Sequence, residues 1–468
     1  MMQDELGRLS KQELIDLILL EAAQLAELRD AFLKLKADYE ALKMKFDSNQ
    51  KPPTSSKNSS QPPSKDQKIN QPKEKSRHRH GPPKGHEKHE RKFVAQPDEV
   101  VDLRVKSCSK CCADLRAEEG RLAKVNQITE LPEAKAQVIE VRQYETTCSE
   151  CGQTQVDAPP NGLEMERTFG ARLEATVVYY RQEQHMSYER TQLALLNLQG
   201  VEISQGGIDG IMQRAGDHAI QAAKPIEETV RQSSVIHSDE TGSRVDGNNW
   251  WEWVFCTTKA VLHVIRFNRS EDVIKDVMAT CQTEVWVSDC YSAQLKAPTL
   301  QLQLCMAHQL RNLQAVIDTY PALTWPKAMQ MLFRYAIHLH HQRNQLSPDQ
   351  FATQLARIER HCDRLLQRAL EPPEAKRLQR RYLKHRYKLF VFLYRSDVEP
   401  TNNVAERALR PSVIHRKVMG CFRSEWGANA FAALASVIDT AELSGVRAFD
   451  AIQSLFGSPS LPIPLTGE

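Results

Sequence analysis

The N-terminal part of the chain has apolar residues at the spacing of a long amphipathic helix. Residues 9–46 contain neither Gly nor Pro, and two positions of a seven-residue repeat are apolar in almost every heptad. These positions are Leu14, Leu28, Leu35 and Leu42, together with Ile18, Leu25, Phe32, Tyr39 and Phe46, and Glu21 interrupts the repeat. The repeat predicts a coiled coil over residues 9–47, through which the chain forms a homo-oligomer. A single amphipathic helix that packs on its own chain is the alternative interpretation.

After residue 230 the apolar pattern changes to that of β-strands. The stretches SSVIHSDE, WWEWVFCT and AVLHVIRF predict three strands with short connections, and SEDVIKDVMATC predicts a helix. EVWVSDCYSA and LQLQLCMAH follow as two further strands. Three strands, a helix and further strands are the order of a ribonuclease H-like fold. We therefore predict a core of this type over residues 231–306 and 396–440.

Helical patterns precede this core and interrupt it. Over residues 165–230, SYERTQLALLNLQ predicts a helix, which is followed by a turn at Gly200 and a second helix that opens at Ser204. The short turn and the capping serine fit a helix-turn-helix, although many helical hairpins share the pattern. Residues 307–395 predict long, Arg-rich helices, broken near Pro348 and Pro372, that form an all-α insertion in the core.

The length of 468 residues exceeds one ordinary hydrophobic core and predicts a multidomain α+β protein of roughly two to four domains. No apolar run reaches about 18 residues, and no basic segment precedes an apolar one at the N-terminus. We therefore expect neither a membrane span nor a secretory signal. The odd number of 11 cysteines favours reduced thiols in the cytoplasm. Residues 441–468 are predicted to be a C-terminal tail.

Positive charge is concentrated in one segment. Residues 48–92 hold 12 Lys or Arg against four Asp or Glu, whereas the net charge of the whole chain is +3. The same segment has seven prolines and almost no large apolar side chain, so it cannot bury enough surface to fold alone. We predict a disordered basic linker over residues 48–95 that contacts DNA phosphates. A solvated tail without a dedicated partner is the alternative.

Two Cys-x-x-Cys pairs lie between the linker and the helices. CSKC supplies Cys108 and Cys111, and CSEC supplies Cys148 and Cys151. Four thiolates in two such pairs fit a structural tetrahedral Zn²⁺, although the 36 residues between the pairs exceed the usual gap. AQVIEVRQYETT, before the second pair, alternates like a strand. We predict a zinc ribbon over residues 96–160. Disulfides are the alternative, and Cys112 is not expected to be a ligand.

Carboxylates follow the apolar runs at two strand ends. In SSVIHSDETG, Asp239 and Glu240 come directly after an apolar run, and Asp289 follows EVWVS. Successive residues of a strand point to opposite faces, so one of the first two acids can face a site while the other faces solvent or caps a turn. A strand that simply ends in a polar turn is the alternative. We assign Asp239 to the site and expect Glu240 to point away.

A third carboxylate, Glu406, lies early in the helix predicted from EPTNNVAERALRP, which Pro411 ends. A capping box is the alternative, with Asn403 as the N-cap and Glu406 bonding back to the backbone. Two strand-end aspartates and a helix-borne glutamate can together hold two Mg²⁺ or Mn²⁺ ions about 4 Å apart. Asp239, Asp289 and Glu406 are therefore predicted to be metal ligands of a catalytic site for phosphodiester chemistry.

The motifs DET, SDCYSA, CMAH and NNVAERALRP resemble those of the bacterial insertion-sequence transposases of the sixty-six group. The resemblance covers nearly the whole chain, including the NSSQPPSKD linker, and the order of the parts is as distinctive as any motif. It implies a DDE transposase that cleaves and transfers the strands of its own insertion sequence, with Asp239, Asp289 and Glu406 as the catalytic triad. It also implies double-stranded DNA, as element ends and target, and accessory proteins of the same element as partners.

Two positions depart from the pattern of that family. Val418 stands in HRKVMG where the family usually has Asn, and Asn312 replaces the second Arg of an AHARR pattern. Arg311 and His308 match that pattern. The departures concern local DNA contacts and not the three acids. His308 either lines the metal site or, in the more ordinary interpretation, is a histidine of the core or of the surroundings of the site.

Two other functions fit parts of the sequence. A catalytically inactive DNA-binding regulator would use the coiled coil, ribbon and helix-turn-helix, but it has no use for three convergent acids. A resolvase-like nuclease would cut branched DNA and join nothing, and the ribbon and the helical insertion fit a transposase better. We therefore predict a transposase of the bacterial cytoplasm, associated with the nucleoid.

Overall fold

The structure is a computed structural model and describes residues 24–25, 27–36, 38–39, 55–59, 91–160, 163–165 and 167–457. Within these ranges no helix is long and apolar enough to cross a membrane. The chain divides into two compact units, each of which is described by itself. The larger comprises Met1–Gln67, Glu140–Gln192 and Ile203–Glu468, and the smaller comprises Lys68–Ile139 and Leu193–Glu202.

The strands of the described residues form two sheets. They are β1 (Glu145–Thr147), β2 (Thr154–Val156), β3 (Val235–Val245), β4 (Asn248–Cys256), β5 (Val261–Arg266), β6 (Thr283–Ser288) and β7 (Thr299–Leu304). β1 and β2 pair with each other, and the other five form a mixed sheet of order β5-β4-β3-β6-β7. β3, β4 and β5 are antiparallel neighbours, whereas β6 and β7 run parallel to β3. The predicted strand order and a mixed α/β architecture are therefore present.

Thirteen α-helices follow residue 160 in the described part of the chain. They are α1 (Ala171–Gln182), α2 (Tyr188–Gln199), α3 (Gln205–Arg231), α4 (Glu271–Met278), α5 (Met306–Thr319), α6 (Thr324–His341), α7 (Pro348–Leu366), α8 (Pro373–Lys384), α9 (Val391–Tyr394), α10 (Asn403–Ala408), α11 (Arg410–Met419), α12 (Glu425–Leu443) and α13 (Ala448–Ser454). Short 3₁₀ helices lie at Gln294–Lys296, Arg343–Gln345 and Arg386–Lys388. The predicted C-terminal tail includes α13, in which Ile452 is fully buried.

The short turn predicted between two helices separates α2 from α3. Gly200 has φ 67°, a left-handed conformation that glycine adopts without strain. Ser204 is the N-cap of α3, because its hydroxyl accepts the N–H of Gly207 at 3.0 Å. The hydroxyl of Tyr188 donates to Asp209 at 2.9 Å. Asp209, on the first turns of α3, is therefore already engaged by a side chain of the preceding helix.

α12 packs closely against α3. A Cβ atom at Gly216 of α3 would lie 2.7 Å from the Cβ of Ala430 and 3.0 Å from the Trp426 ring. No side chain fits at that distance, so the position requires glycine. On its other side α12 faces the sheet, where Phe431 shares a buried apolar cluster with Ile265 of β5. α12 therefore joins the helical region before the sheet to the sheet itself.

The predicted insertion is all-helical, but it shares one hydrophobic core with the sheet. Phe333 of α6 and Tyr382 of α8 belong to the same buried cluster as Val287 of β6. The helices begin where the sequence analysis expects breaks, because Pro348 and Pro373 occupy the first positions of α7 and α8. Each large side chain in this cluster contributes about 2–3 kcal/mol of burial energy. The insertion is therefore bound to the sheet through shared packing.

Residues 91–160 contain little regular structure. The strand predicted before the second cysteine pair is three residues long, Glu145–Thr147. The apolar residues ahead of it are exposed, with Val138 at 93% and Leu131 at 84%. A short strand without a packed face is only marginally stable, which accounts for the difference from the prediction.

The predicted coiled coil lies mostly outside the described residues. Residues 27–36 are helical, and the apolar face predicted for them is exposed, with Leu28 at 73% and Phe32 at 65%. Most of the predicted basic linker is also outside the described residues. Its residues 55–59 form a turn, in which the amide of Asn58 donates to the carboxylate of Asp318 at 3.0 Å.

A buried charged network joins β4, β5, α11 and α12. Nδ1 of His263 lies 3.0 Å from Glu252, and its Nε2 lies 3.0 Å from Asp439. The hydroxyl of Ser412 donates to the same Glu252 carboxylate at 2.6 Å. Burial lowers the pKa of His263, but its hydrogen bonds and charge interactions with Asp439 and Glu252 outweigh burial and raise that pKa to about 9. His263 is therefore an imidazolium in the folded protein at neutral pH.

This network predicts a loss of stability as the pH rises. The unfolded histidine has an ordinary pKa of 6.5, so its contribution is complete below pH 6.5 and is lost as the pH rises toward 9. The expected loss in the free energy of unfolding is about 3 kcal/mol. His263→Gln should lack this pH-dependent step, which denaturant titrations at pH 6.5, 7.5 and 9 measure for both proteins. Identical pH profiles for the two proteins would contradict the assignment.

Candidate active site

The two predicted strand-end aspartates occupy matching positions on neighbouring strands. The parallel pairing of β3 with β6 ends at His237 opposite Val287. Two residues further along each strand path lie Asp239 and Asp289. Because side chains alternate along a strand, the aspartates project from the same face as the last paired residues. Neighbouring strands are about 4.8 Å apart, so the backbones of Asp239 and Asp289 lie close together at the same end of the sheet.

Glu240 projects from the opposite face of β3, as expected, but it is neither in solvent nor in a turn. β3 continues to Val245, so the interpretation of a strand that ends in a polar turn is wrong. The Glu240 side chain is 1% exposed and accepts two hydrogen bonds from Arg269, at 2.7 and 3.1 Å. The amide of Gln294 donates to its other oxygen at 2.7 Å. Glu240 is therefore a buried, paired carboxylate beneath the strand that carries Asp239.

Arg269 connects the surroundings of both aspartates. Its guanidinium lies 4.4 Å from the centre of the Trp251 ring and 4.1 Å from that of Tyr291. The hydroxyl of Tyr291 donates to the carbonyl of Arg269 at 2.6 Å, and the N–H of Tyr291 donates to Asp289 at 2.8 Å. Sequence reasoning missed Arg269, because no local motif links it to Glu240, 29 residues earlier.

The third acid, Glu406, does not form a capping box. The N-cap of α10 is Asn402, without a capping bond from its side chain, so the alternative with Asn403 as N-cap is wrong. The Glu406 carboxylate instead accepts a hydrogen bond from Arg311 at 3.1 Å and lies 3.6 Å from Nδ1 of His308. Pro411 does not end this helix either, since α10 ends at Ala408 and Pro411 lies in the first turn of α11. Glu406 therefore faces α5.

Asn402 fixes the position of α10 against the sheet. Its side chain is fully buried; the amide donates to the carbonyl of Ser238 at 2.8 Å, and its oxygen lies 3.3 Å from Nδ1 of His237. Its backbone N–H donates to the sulfur of Cys305 at 3.1 Å. One residue therefore joins α10 to β3, beside Asp239, and to the residue that precedes α5. The Asn-Asn pair of the sequence does mark the start of a helix, but the N-cap is Asn402 and not Asn403.

The charges of the other two predicted acids, Asp289 and Glu406, both act on Asp239. Burial raises the pKa of Asp239 well above its usual range, and the charges of Glu240, Asp289 and Glu406 add to that rise. The N–H of Glu240, 2.9 Å from the Asp239 carboxylate, partly counteracts them. The structure therefore brings the three acids into one electrostatic environment, in which positive charge near Asp239 would stabilise its ionised form.

Cationic side chains of the insertion act on Cys290, the residue after Asp289. Burial raises the pKa of the Cys290 thiol, beside Asp289, while the charges of Arg381, Lys388 and Lys384 lower it. These three residues belong to α8 and to the 3₁₀ helix that follows it. The helical insertion therefore supplies positive charge next to Asp289.

One group of potential metal ligands is found in the described part of the chain. It comprises Cys305, His308 and Glu406, whose ligand atoms lie within 4.8 Å of one another. Burial raises the pKa of Cys305 to about 11, and its sulfur already accepts the N–H of Asn402. Cys305 is therefore a neutral thiol with a structural role, and Glu406 is the member of the group suited to a hard cation.

The predicted zinc ligands lie in two turns of the same construction. In the first turn, Cys112 has φ 58° and its N–H donates to the carbonyl of Cys108 at 2.9 Å. In the second turn, Gly152 has φ 71° and its N–H donates to the carbonyl of Cys148 at 2.9 Å. Each turn lies between antiparallel partners. Ser107 and Asp114 form a bridge around the first turn, and β1 pairs with β2 around the second. Cys112 therefore has a conformational role in the first turn.

Both turns favour a thiolate at their first cysteine. The backbone N–H groups of Cys111 and then Lys110 lower the pKa of Cys108. Those of Cys151 and the residue before it lower the pKa of Cys148 in the same way. All eleven cysteines are free, which does not support the disulfide alternative. The thiolate is the form of cysteine that binds a metal ion, so each turn has the chemistry of half a zinc site.

Comparison with known proteins gives two family matches. A family model described as "Transposase IS66 family" matches residues 166–430, which include the sheet, the helical insertion and the three acids. A second model, described as a family of unknown function, matches residues 14–92. No curated protein matches the chain.

The buried pair beneath β3 predicts a specific loss of stability. Arg269→Met should leave Glu240 buried with Gln294 as its remaining partner, and the free energy of unfolding should fall by about 3 kcal/mol. The double variant Arg269→Met with Glu240→Gln should lose less than the sum of the two single variants, because it contains no unpaired charge. Denaturant unfolding measures all of them. Arg266→Met removes an arginine whose acid partner, Asp276, is 71% exposed, and should change stability by no more than about 0.5 kcal/mol. Equal losses in the two arginine variants would contradict the role of the pair.

Proposed function

Because the family match covers more than half of its length, the chain belongs to the transposase IS66 family, and we propose that it cleaves and transfers the DNA strands of its own insertion sequence. The family supports a transposase that acts on DNA with the help of divalent cations. The residues and steps that follow are our proposal for how this chain performs that role. The strand order of the mixed sheet supports a ribonuclease H-like catalytic core.

One observation carries the proposal: the charges of Asp289 and Glu406 both act on the buried carboxyl of Asp239. The carboxylates at the end of β6 and on α10 thus repel a negative charge on Asp239 of β3. Such repulsion is costly in a buried place unless cations offset it. The donor set consists of carboxylate oxygens, which suits Mg²⁺ or Mn²⁺.

Asp239, Asp289 and Glu406 would hold the divalent cations. When bound, these cations supply Lewis-acid stabilisation of the phosphodiester and lower the pKa of the attacking water or 3′-hydroxyl. The backbone N–H groups of Glu240 and Tyr291 each donate to one aspartate, which keeps one oxygen of each carboxylate oriented. The remaining oxygens are left for the cations.

Arg311 and His308 hold the third acid. Arg311 donates to Glu406 in the structure, and the His308 ring lies beside the same oxygen. The ion pair with Arg311 holds the Glu406 carboxylate in place at the start of α10. Asn402 limits the movement of the helix that carries Glu406, because its buried amide is bonded to β3. We therefore assign Arg311, His308 and Asn402 as positioning residues.

The parts outside the core are assigned to DNA binding and assembly. The hydroxyl cap of α3 and the turn before it fit a helix-turn-helix, in which the first residues of α3 contact bases. The basic linker and the Arg-rich insertion would contribute sequence-independent phosphate contacts. The N-terminal heptads would join copies of the chain. A regulator without catalysis would need none of the buried carboxylates, and a nuclease would not need the family's transposition chemistry.

We also propose a structural zinc ion bound by Cys108, Cys111, Cys148 and Cys151. The two turns have matching backbone geometry and each lowers the pKa of its first thiol. Residues 91–160 bury almost no side chain, and small domains of this kind often gain their stability from a metal ion.

The catalytic assignment predicts a loss of chemistry without a loss of binding. Asp239→Ala, Asp289→Ala and Glu406→Ala should each reduce strand cleavage in Mg²⁺ by at least about 1,000-fold, because each removes a proposed metal ligand. Binding to the same DNA, measured by fluorescence anisotropy, should change by less than about threefold. Asp276→Ala is a control that removes an exposed acid. A triad variant that cleaves DNA at a rate near that of the wild type would remove that residue from the site.

The zinc assignment predicts about one zinc ion per chain, measured by mass spectrometry of the purified protein. Cys108→Ser and Cys148→Ser should each lose the metal, whereas Cys112→Ser should retain it. Cysteines of the unmodified protein should react faster with a thiol reagent after treatment with a chelator, because the metal protects four of them. Metal-free protein whose thiol reactivity does not respond to the chelator would refute the site.

A further inference from the structure

Several buried side-chain nitrogen atoms of α5 and of the end of α8 have no hydrogen-bond partner. They are Nδ1 of His308, Nε of Arg311, Nε of Arg381 and Nδ1 of His385. The first two residues lie on α5, and the other two lie at the end of α8. Unpaired buried donors cost about 1–3 kcal/mol each, so a cluster of them indicates a place that is completed by an acceptor.

The two helices meet at these residues. Nη2 of Arg381 donates to the side chain of Gln309 at 3.1 Å, and Gln309 follows His308 directly. The hydroxyl of Tyr382 donates to the carbonyl of Gln309 at 3.4 Å. Arg311, on the next turn of α5, reaches Glu406. The donors of α5 and α8 therefore lie on one side of the proposed catalytic acids.

Two cationic side chains in this region, those of Arg381 and Lys388, have no acidic partner among the described residues. Lys388 is 7% exposed, and among the described residues neither Lys388 nor Arg381 takes part in an ion pair. The Lys388 ammonium lies 5.4 Å from the centre of the Tyr387 ring. The buried hydrocarbon of Lys388 fixes the position of its ammonium, which is free to bind an anion beside it. The acid contacted by Arg311 would be used by metal ions in the proposed function.

We propose that Arg311, Arg381 and Lys388, with the ring nitrogen of His308, form a pocket for a backbone phosphate of the DNA next to the bond that is cut. This inference rests on the proposed function for the position of the scissile bond. The ligand class follows from the donors themselves: guanidinium and ammonium groups bind phosphate oxygens through charge-assisted hydrogen bonds. A phosphodiester has one negative charge and free acceptor oxygens. These oxygens would accept hydrogen bonds from the donors that have no partner.

The insertion would then have a function in addition to its place in the core. Its helix α8 would hold the DNA strand against the acids, while the shared core with β6 fixes α8 relative to Asp289. The contact would be independent of base sequence, because phosphates carry no sequence information.

The test uses Lys388→Met in the full chain, because methionine keeps the buried hydrocarbon and removes the charge. Its affinity for a fluorescein-labelled 30-base-pair duplex of random sequence is measured in buffer without Mg²⁺ or Mn²⁺, which prevents cleavage and leaves the proposed zinc ion in place. We expect the Kd to rise by roughly 10- to 100-fold, the effect of one charge-assisted contact. We also expect the thermal unfolding temperature to stay the same, because methionine keeps the packing of the buried hydrocarbon.

Lys275→Met is the control, since this lysine is exposed, lies outside the insertion and pairs with Glu271 at 2.6 Å. It should change the Kd by less than about threefold. Arg381→Gln is a second, independent variant and should weaken binding as Lys388→Met does. A Lys388→Met chain that binds like the wild type, or that loses stability and affinity together, would overturn the pocket. So would a wild-type chain that does not bind the duplex.

These outcomes are separate from the test of the proposed function. If the wild type binds the duplex through Lys388 but does not cut DNA in Mg²⁺, the phosphate pocket stands and the catalytic proposal fails. If the wild type cuts DNA and Lys388→Met binds the duplex normally, the catalytic proposal stands and the pocket fails.

Discussion

The arrangement of the candidate site depends on the buried amide of Asn402. It is fully buried and bonded to the backbone of β3 at Ser238, next to Asp239. Its own backbone N–H binds the sulfur of Cys305, at the junction of β7 and α5. These bonds join three elements that are far apart in the sequence, and they set where Glu406 can lie. A buried amide with unpaired donors would be costly, so the bonds to Ser238 and Cys305 must form together for the site to exist.

Around that anchor the protein separates its charges into layers. Glu240 lies beneath the sheet strand and is neutralised by Arg269, which stacks between Trp251 and Tyr291. On the other face, burial and the charges of its acidic neighbours raise the pKa of the Asp239 carboxyl. The first layer is complete in the free protein and stabilises it. The second layer is incomplete. Cations would offset its excess of acids, and an anion would offset the unpaired cations of the insertion.

The insertion has a structural consequence as well as a functional one. Because Phe333 and Tyr382 share a core with Val287, the helices of the insertion cannot shift without disturbing the strand that leads to Asp289. Close-packed cores resist such shifts, and the insertion is therefore part of the scaffold that holds one of the proposed catalytic aspartates. The second helical layer is equally tight, since Gly216 admits no side chain beside Ala430. The site is thus held from the insertion on one side of the sheet strands and through α12 on the other.

Apolar periodicity and polar strand ends are local signals, and they were enough to predict the order of the strands and the helical insertion and to single out three acids as candidates. They also located the turn at Gly200 and the cap at Ser204, which depend on neighbouring residues alone. Local signals were ambiguous at two positions. Either asparagine of the Asn-Asn pair could cap the helix that follows, and the sequence does not distinguish an exposed Glu240 from a buried one. The partners of Asn402 and Glu240, which are Ser238 and Arg269, are 164 and 29 residues away. Only the tertiary structure decides such contacts, because a hydrogen bond or an ion pair between distant residues exists only after the strands and helices have packed.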